Sequence, residues 1–137
     1  MNSHSTNLPP GFQFVDDPAS WTDPAARIVQ IPRGVRGKRT LLTEYVRQLS
    51  LPEYFGWNWD ALDECLRDLH WLPKVQRVAI VHEALPLARS SNGRRIYVQL
   101  LRGAVTAWKT GDEHELTVVF PTRARDEIIN LLAASSS

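Results

Sequence analysis

The sequence predicts an α/β domain in which a small parallel sheet is covered by helices, with extra segments at both ends. Three observations lead there. Three short apolar runs, RIVQIP at 27–32, VQRVAIVH at 75–82 and ELTVVF at 115–120, carry the β-branched residues of buried strands. The stretches between them place apolar residues at helical spacing. Strands that alternate with helices are joined by crossovers, and crossovers make neighbouring strands parallel.

Taken in order, residues 1–11 are polar, contain a Pro-Pro pair and are expected to be disordered. Residues 12–21 are expected to run extended and to dock Phe12, Phe14 and Trp21 on the domain. A turn at 22–25 leads into the first strand, which Gly34 and Gly37 break. Lys38–Leu49 is predicted helical from Leu41, Leu42, Tyr45, Val46 and Leu49, and Pro52 ends it. A loop centred on Gly56 follows. Asn58 is placed to cap the next helix, 59–69. After the strand at 75–82, Pro86 and the Ser91-Asn92-Gly93 punctuation mark a loop. Residues 94–109 form a third helix with Ile96, Tyr97, Leu100, Leu101, Ala104, Val105 and Trp108 on one side. Pro121 stops the last strand, and a short helix is expected over 123–133 before a frayed tail. Three units follow: an N-terminal extension at 1–24, a central domain at 25–121 and a C-terminal helix and tail at 122–137.

The chain has 137 residues, 43% hydrophobic and 23% charged, as expected of one ordinary domain. A formal charge of +1 argues for neither a nucleic-acid nor an acidic partner. The lone cysteine, Cys65, excludes an internal disulfide and falls on an apolar helix side, as an inert thiol would. The N-terminus has no basic and apolar signal-peptide pattern, and no run reaches the ~20 apolar residues of a membrane helix. A cytoplasmic location is expected.

Residues 51–69, LPEYFGWNWDALDECLRDL, hold the candidate site. On a helical wheel Trp59, Leu62, Cys65, Leu66 and Leu69 share one side. Asp60, Asp63, Glu64, Arg67 and Asp68 gather opposite. Residues 50–72 hold five carboxylates against Arg67 alone, a local −4 in a chain of +1. The preceding loop crowds Tyr54, Phe55, Trp57 and Trp59 into six residues. A solvated helix face explains the charges; the aromatics beside them point instead to anchor-and-charge binding of a basic protein.

LPEYFGWNWDALDECL also resembles the signature of the barstar family of ribonuclease inhibitors. The shared pattern is a Pro-acid-aromatic-aromatic-Gly loop, then Asn, Asp-Ala-Leu and Cys-Leu. The resemblance implies a three-stranded parallel sheet covered by helices, and a non-enzymatic protein without cofactor or metal. It implies an inhibitor, of immunity or antitoxin type, that plugs a basic extracellular or toxin-type ribonuclease. On that reading Tyr54, Gly56, Trp57 and Asn58 are loop contacts, and Asp60 is an interfacial aspartate. Glu64 holds the position of the main inhibitory aspartate. Asp63 stands where the family has tryptophan, and Arg67 where it has a small residue. Whether Asp63 or Glu64 is the inserted acid stays open. No direct RNA or membrane contact is expected, and the chain is read as a monomer or weakly self-associating.

Two other classes remain. The same surface fits a non-inhibitory regulatory module. It also fits a hydrolase using the acidic helix, although Asp60, Asp63, Glu64 and Asp68 lack further ligands at a recognisable spacing. His82, at the end of an apolar strand, reads as a satisfied structural histidine. Arg27, Arg33, Arg36, Lys38, Arg39 and Arg47 read as a solvated face, with nucleic-acid contact or balance for the acidic face as the functional readings. Arg94, Arg95 and Arg102 read as exposed.

Overall fold

The computed structural model describes residues 10–68, 77–109 and 115–134, without the side chains of 108, 109 and 134. Expectations for residues 1–9, 69–76, 110–114 and 135–137, and for the side chain of Trp108, fall outside them. The elements run β1 (Phe12–Val15), β2 (Arg27–Ile31), α1 (Lys38–Leu49), α2 (Trp59–Asp68), β3 (Arg77–His82), α3 (Ser91–Lys109), β4 (Glu115–Pro121) and α4 (Arg125–Ala134). Two short 3-10 turns, Pro18–Ser20 and Thr122–Ala124, complete the list.

The α/β parallel class is as the sequence predicts, but the sheet has four strands rather than three. Its order is β1-β4-β3-β2, and every pairing is parallel. The added strand is β1, which pairs Phe12 with Val118 and Phe14 with Phe120. Its four residues do more than dock aromatic rings: they supply backbone hydrogen-bonding groups to β4.

Side chains alternate across a strand, so each face collects every second residue. Val29, Ile31, Val78, Ile80, Leu116, Val118 and Phe120 point into the main core, where all four helices pack. Ala79, Val81 and Val119 point to the other face. There the N-terminal segment covers them with Trp21, Ala26, Ile28 and Val15. Both faces are therefore dry, which explains why β3 reads as a continuous apolar run.

Trp21 is held in place by a hydrogen bond from its Nε1–H to Gln13 Oε1, at 3.1 Å. Trp21→Ala should uncover the second face and cost about 1–3 kcal/mol, the usual scale for losing a partly buried aromatic. A urea titration would measure it; an unchanged midpoint would show that Trp21 covers nothing.

The helix ends are set locally. Ser50 adopts a left-handed conformation, φ 53°, and its N–H bonds to Val46 O, closing α1 where Leu51-Pro52 was expected to end it. Helix α3 starts three residues before the expected Arg94. Ser90 Oγ accepts the Gly93 N–H at 2.9 Å, so the Ser-Asn-Gly punctuation lies inside a capped first turn. Arg94, expected to be exposed, is mostly buried and holds Leu85 O, Pro86 O and the Glu127 carboxylate. At the outer side of β2 the Gln48 amide bonds Gln30 twice. It accepts the Gln30 N–H at 2.7 Å and donates to Gln30 O at 2.8 Å.

Candidate functional site

The loop between α1 and α2 is a pinned structure. The Phe55 N–H donates to Pro52 O at 2.9 Å, and the Phe55 ring is buried. Trp57, half-buried, meets that ring edge-on at 5.6 Å. Its backbone takes φ 56°, a left-handed conformation unusual for a bulky residue. The loop therefore turns on Trp57, whereas Gly56 has ordinary φ. Gly56 serves close approach: a Cβ there would sit 3.2 Å from Asn58 Nδ2.

Asn58 then starts α2. Its Oδ1 accepts the Ala61 N–H at 2.7 Å, and its Nδ2 donates to Gly56 O at 3.2 Å. One side chain thus caps the helix and fixes the loop before it, as its residue type predicts.

The wheel divides α2 as expected. Leu62, Cys65 and Leu66 are buried, and Asp60, Glu64, Arg67 and Asp68 are exposed. Burial, with the carboxylates of Asp68 and Glu64 nearby, pushes the Cys65 thiol up, away from thiolate chemistry. Of the four loop aromatics only Tyr54 is left out, at 78% exposure.

Five of the eight candidate residues come together. Tyr54, Gly56, Asn58, Asp60 and Glu64 line one recess of about 320 Å³, with Phe55, Ala61 and Cys65 at its floor and sides. Among the described residues no cation pairs with Asp60 or Glu64. Two acids one turn apart thus face a cavity edged by an exposed tyrosine, an arrangement that attracts cationic groups.

The other three lie apart. Arg67 Nε donates to Asp63 Oδ1 at 2.9 Å, which takes Asp63 into an ion pair. The guanidinium lies over α3, where a Cβ on Gly103 would come 2.6 Å from Arg67 Nη2. Trp57 lies under Arg39, whose guanidinium sits 4.4 Å from the ring centre. Lys38 stands 5.8 Å from the Trp59 ring. This cover by Arg39 and Lys38 was not foreseen from the sequence. Among the described residues no group of three or more His, Cys, Asp or Glu is arranged to hold a metal ion. No described helix is long and apolar enough to cross a membrane.

The family model described as Barstar (barnase inhibitor) matches residues 27–121. The chain belongs to the barstar family. Members of this family are non-enzymatic inhibitors, and their description implies a barnase-type ribonuclease as partner. Compared with curated proteins one by one, the chain finds no match.

Under this candidate site runs a buried hydrogen-bonded chain. His82 Nδ1 lies 3.0 Å from Val119 O, and a carbonyl only accepts, so Nδ1 carries the proton. His82 Nε2 is then the acceptor for the Tyr97 hydroxyl, at 2.7 Å. The Tyr45 hydroxyl in turn donates to the Tyr97 oxygen at 2.5 Å. The His82 ring also stacks on Phe120 with centroids 4.0 Å apart. Burial holds the imidazole neutral, its pKa pushed down from 6.5 to about 3. Burial likewise pushes the Tyr45 and Tyr97 hydroxyls up. The Trp59 ring leans on Tyr97 at 6.0 Å, so the first residue of α2 rests on this chain. His82 is thus the satisfied structural histidine that its sequence position suggests.

Proposed function

We infer that this barstar-family protein inhibits by plugging the active site of a basic ribonuclease with the loop before α2 and the first turns of α2. The observation that carries this is the recess: an exposed Tyr54 beside Asp60 and Glu64, neither of which pairs with a cation among the described residues. A ribonuclease gathers cations to hold phosphates. Two carboxylates one turn apart on a fixed helix meet those cations without ordering long side chains first. Tyr54 supplies the apolar anchor typical of an interface centre. Asn58 and Gly56 set the loop geometry, and Trp57 braces it from behind.

This assigns the protein to immunity against a ribonuclease toxin, acting in the cytoplasm of the cell that makes the toxin. Of the two acids left open by the sequence, Glu64 is the inserted one, because Asp63 is occupied by Arg67. Glu64 reaches one methylene further than the family's aspartate, so the matching nuclease pocket is deeper.

The test is growth rescue by co-expression with a barnase-type ribonuclease, paired with stopped-flow association. Wild type should rescue, and the association rate should fall steeply as salt is raised past the ~10 Å Debye length of 0.1 M. Asp60→Ala/Glu64→Ala should abolish rescue. If the double variant protects fully, occlusion by these carboxylates is wrong, and a regulatory use of the fold takes its place.

A further inference from the structure

The acidic recess has a neighbour of opposite sign. Arg33 and Arg36 flank the buried Val35, whose carbonyl accepts the Leu87 N–H at 2.9 Å. That anchor fixes both arginines on an exposed turn, and Gly34 at φ 83° lets the chain reverse there. Lys38 and Arg39 follow in the first turn of α1, which has no acidic residue. Cations at that end oppose the helix dipole. Among the described residues no carboxylate pairs with Arg33, Arg36, Lys38 or Arg39. Among these residues Arg39 lies over Trp57 and Lys38 over Trp59.

Trp57 and Trp59 therefore form a seam. Lys38 and Arg39 reach the two rings from α1, with exposed Arg33 and Arg36 just before them in the chain, and exposed Asp60, Glu64 and Tyr54 line the recess beside the same loop. The two lobes do not neutralise each other within one chain. For a basic nuclease the cationic lobe is also a poor neighbour.

We propose that this face docks on a second copy of the chain. A surface with adjacent positive and negative lobes is self-complementary about a two-fold axis through the seam. Each lobe then meets its opposite twice, and the assembly closes at two copies. Each Tyr54 lies within the contact, and the carboxylates of one copy offset the cations at the α1 start of the other. The dimer covers Tyr54, Asp60 and Glu64. It exists whether or not a nuclease is the final partner.

Sedimentation of the full-length protein tests this at ~10 mM salt, where the Debye length is about 30 Å, and at ~1 M, where it is about 3 Å. Wild type should be a dimer in the first and a monomer in the second. Arg33→Glu/Arg36→Glu changes two exposed side chains with no ion-pair partner among the described residues, so folding should be unaffected. It should weaken dimerisation at least about tenfold. Asp60→Lys/Glu64→Lys should do the same. An equal mixture of the two variants should restore a dimer, because both contacts are again between opposite charges.

A wild type that stays monomeric at low salt overturns the proposal, as does growth beyond two copies or a mixture that stays monomeric. If instead labelled single-stranded RNA binds the wild-type monomer and not Arg33→Glu/Arg36→Glu, the cationic lobe serves RNA and self-docking is wrong. Ribonuclease inhibition by Arg33→Glu/Arg36→Glu should persist, so the inhibitory reading is judged separately.

Discussion

Glu64→Ala should raise the dissociation constant for a barnase-type nuclease by roughly 30- to 5000-fold, the ~2–5 kcal/mol cost of truncating one side of a desolvated charge pair. Asp63→Ala should cost less than about 1 kcal/mol, because it breaks a partly exposed ion pair with Arg67 on the same helix. The contrast matters more than either value. The two residues are adjacent, and a diffuse electrostatic attraction would treat them alike. A direct plug separates them, since only Glu64 lines the recess. Titration calorimetry on both variants gives the answer, and equal losses would return the site to a general acidic patch. Glu64→Asp supplies a further check: if the nuclease pocket is fitted to the longer acid, shortening it should weaken binding.

Acid should unfold the protein through His82. The imidazole has a pKa of about 3 when folded, against an ordinary 6.5. The unfolded chain therefore takes up a proton at a pH where the native state refuses it. Stability from this residue is fully present above pH 6.5 and is lost as pH falls from 6.5 toward 3. Each pH unit in that window removes about 1.4 kcal/mol, so two units remove a large share of a typical 5–15 kcal/mol. Protonation would also force Nε2 to donate where the Tyr97 hydroxyl now donates to it. Chemical denaturation at a series of pH values should show this slope in wild type. In His82→Gln it should be shallower by about one proton, with lower stability at neutral pH because the ring stack on Phe120 is lost. Equal slopes would assign the acid sensitivity to the carboxylates instead.

What could be read from the sequence followed the range of the forces involved. Helix α1 runs over Lys38–Leu49 as its periodicity predicts, because spacing, a preceding glycine and a following proline are all local. Asn58 capping, the buried side of α2 and the exposure of Asp60 and Glu64 were legible for the same reason. Strand β1 was not legible as a strand. It is four residues long, and its partner β4 lies at the far end of the chain. The site divides in the same way. That Arg39 would cover Trp57 depends on how α1 packs beside the loop, which no local pattern encodes. The Asp63–Arg67 pair did leave a signal, an acid and a base four residues apart on a helix. Weighed as a carboxylate among others, Asp63 looked as available as Glu64.

The Gln48 amide beside Gln30 bears on how the protein behaves when concentrated. An outermost strand presents unpaired N–H and C=O groups that invite another chain to extend the sheet. At Gln30 both groups are already taken by a side chain that imitates a neighbouring strand. Arg27, at the start of the same strand, reaches across to Gln48 O and adds charge to that margin. The sheet is thereby guarded against growing into fibrils along β2. Gln48→Ala, which frees that margin, should aggregate sooner on storage.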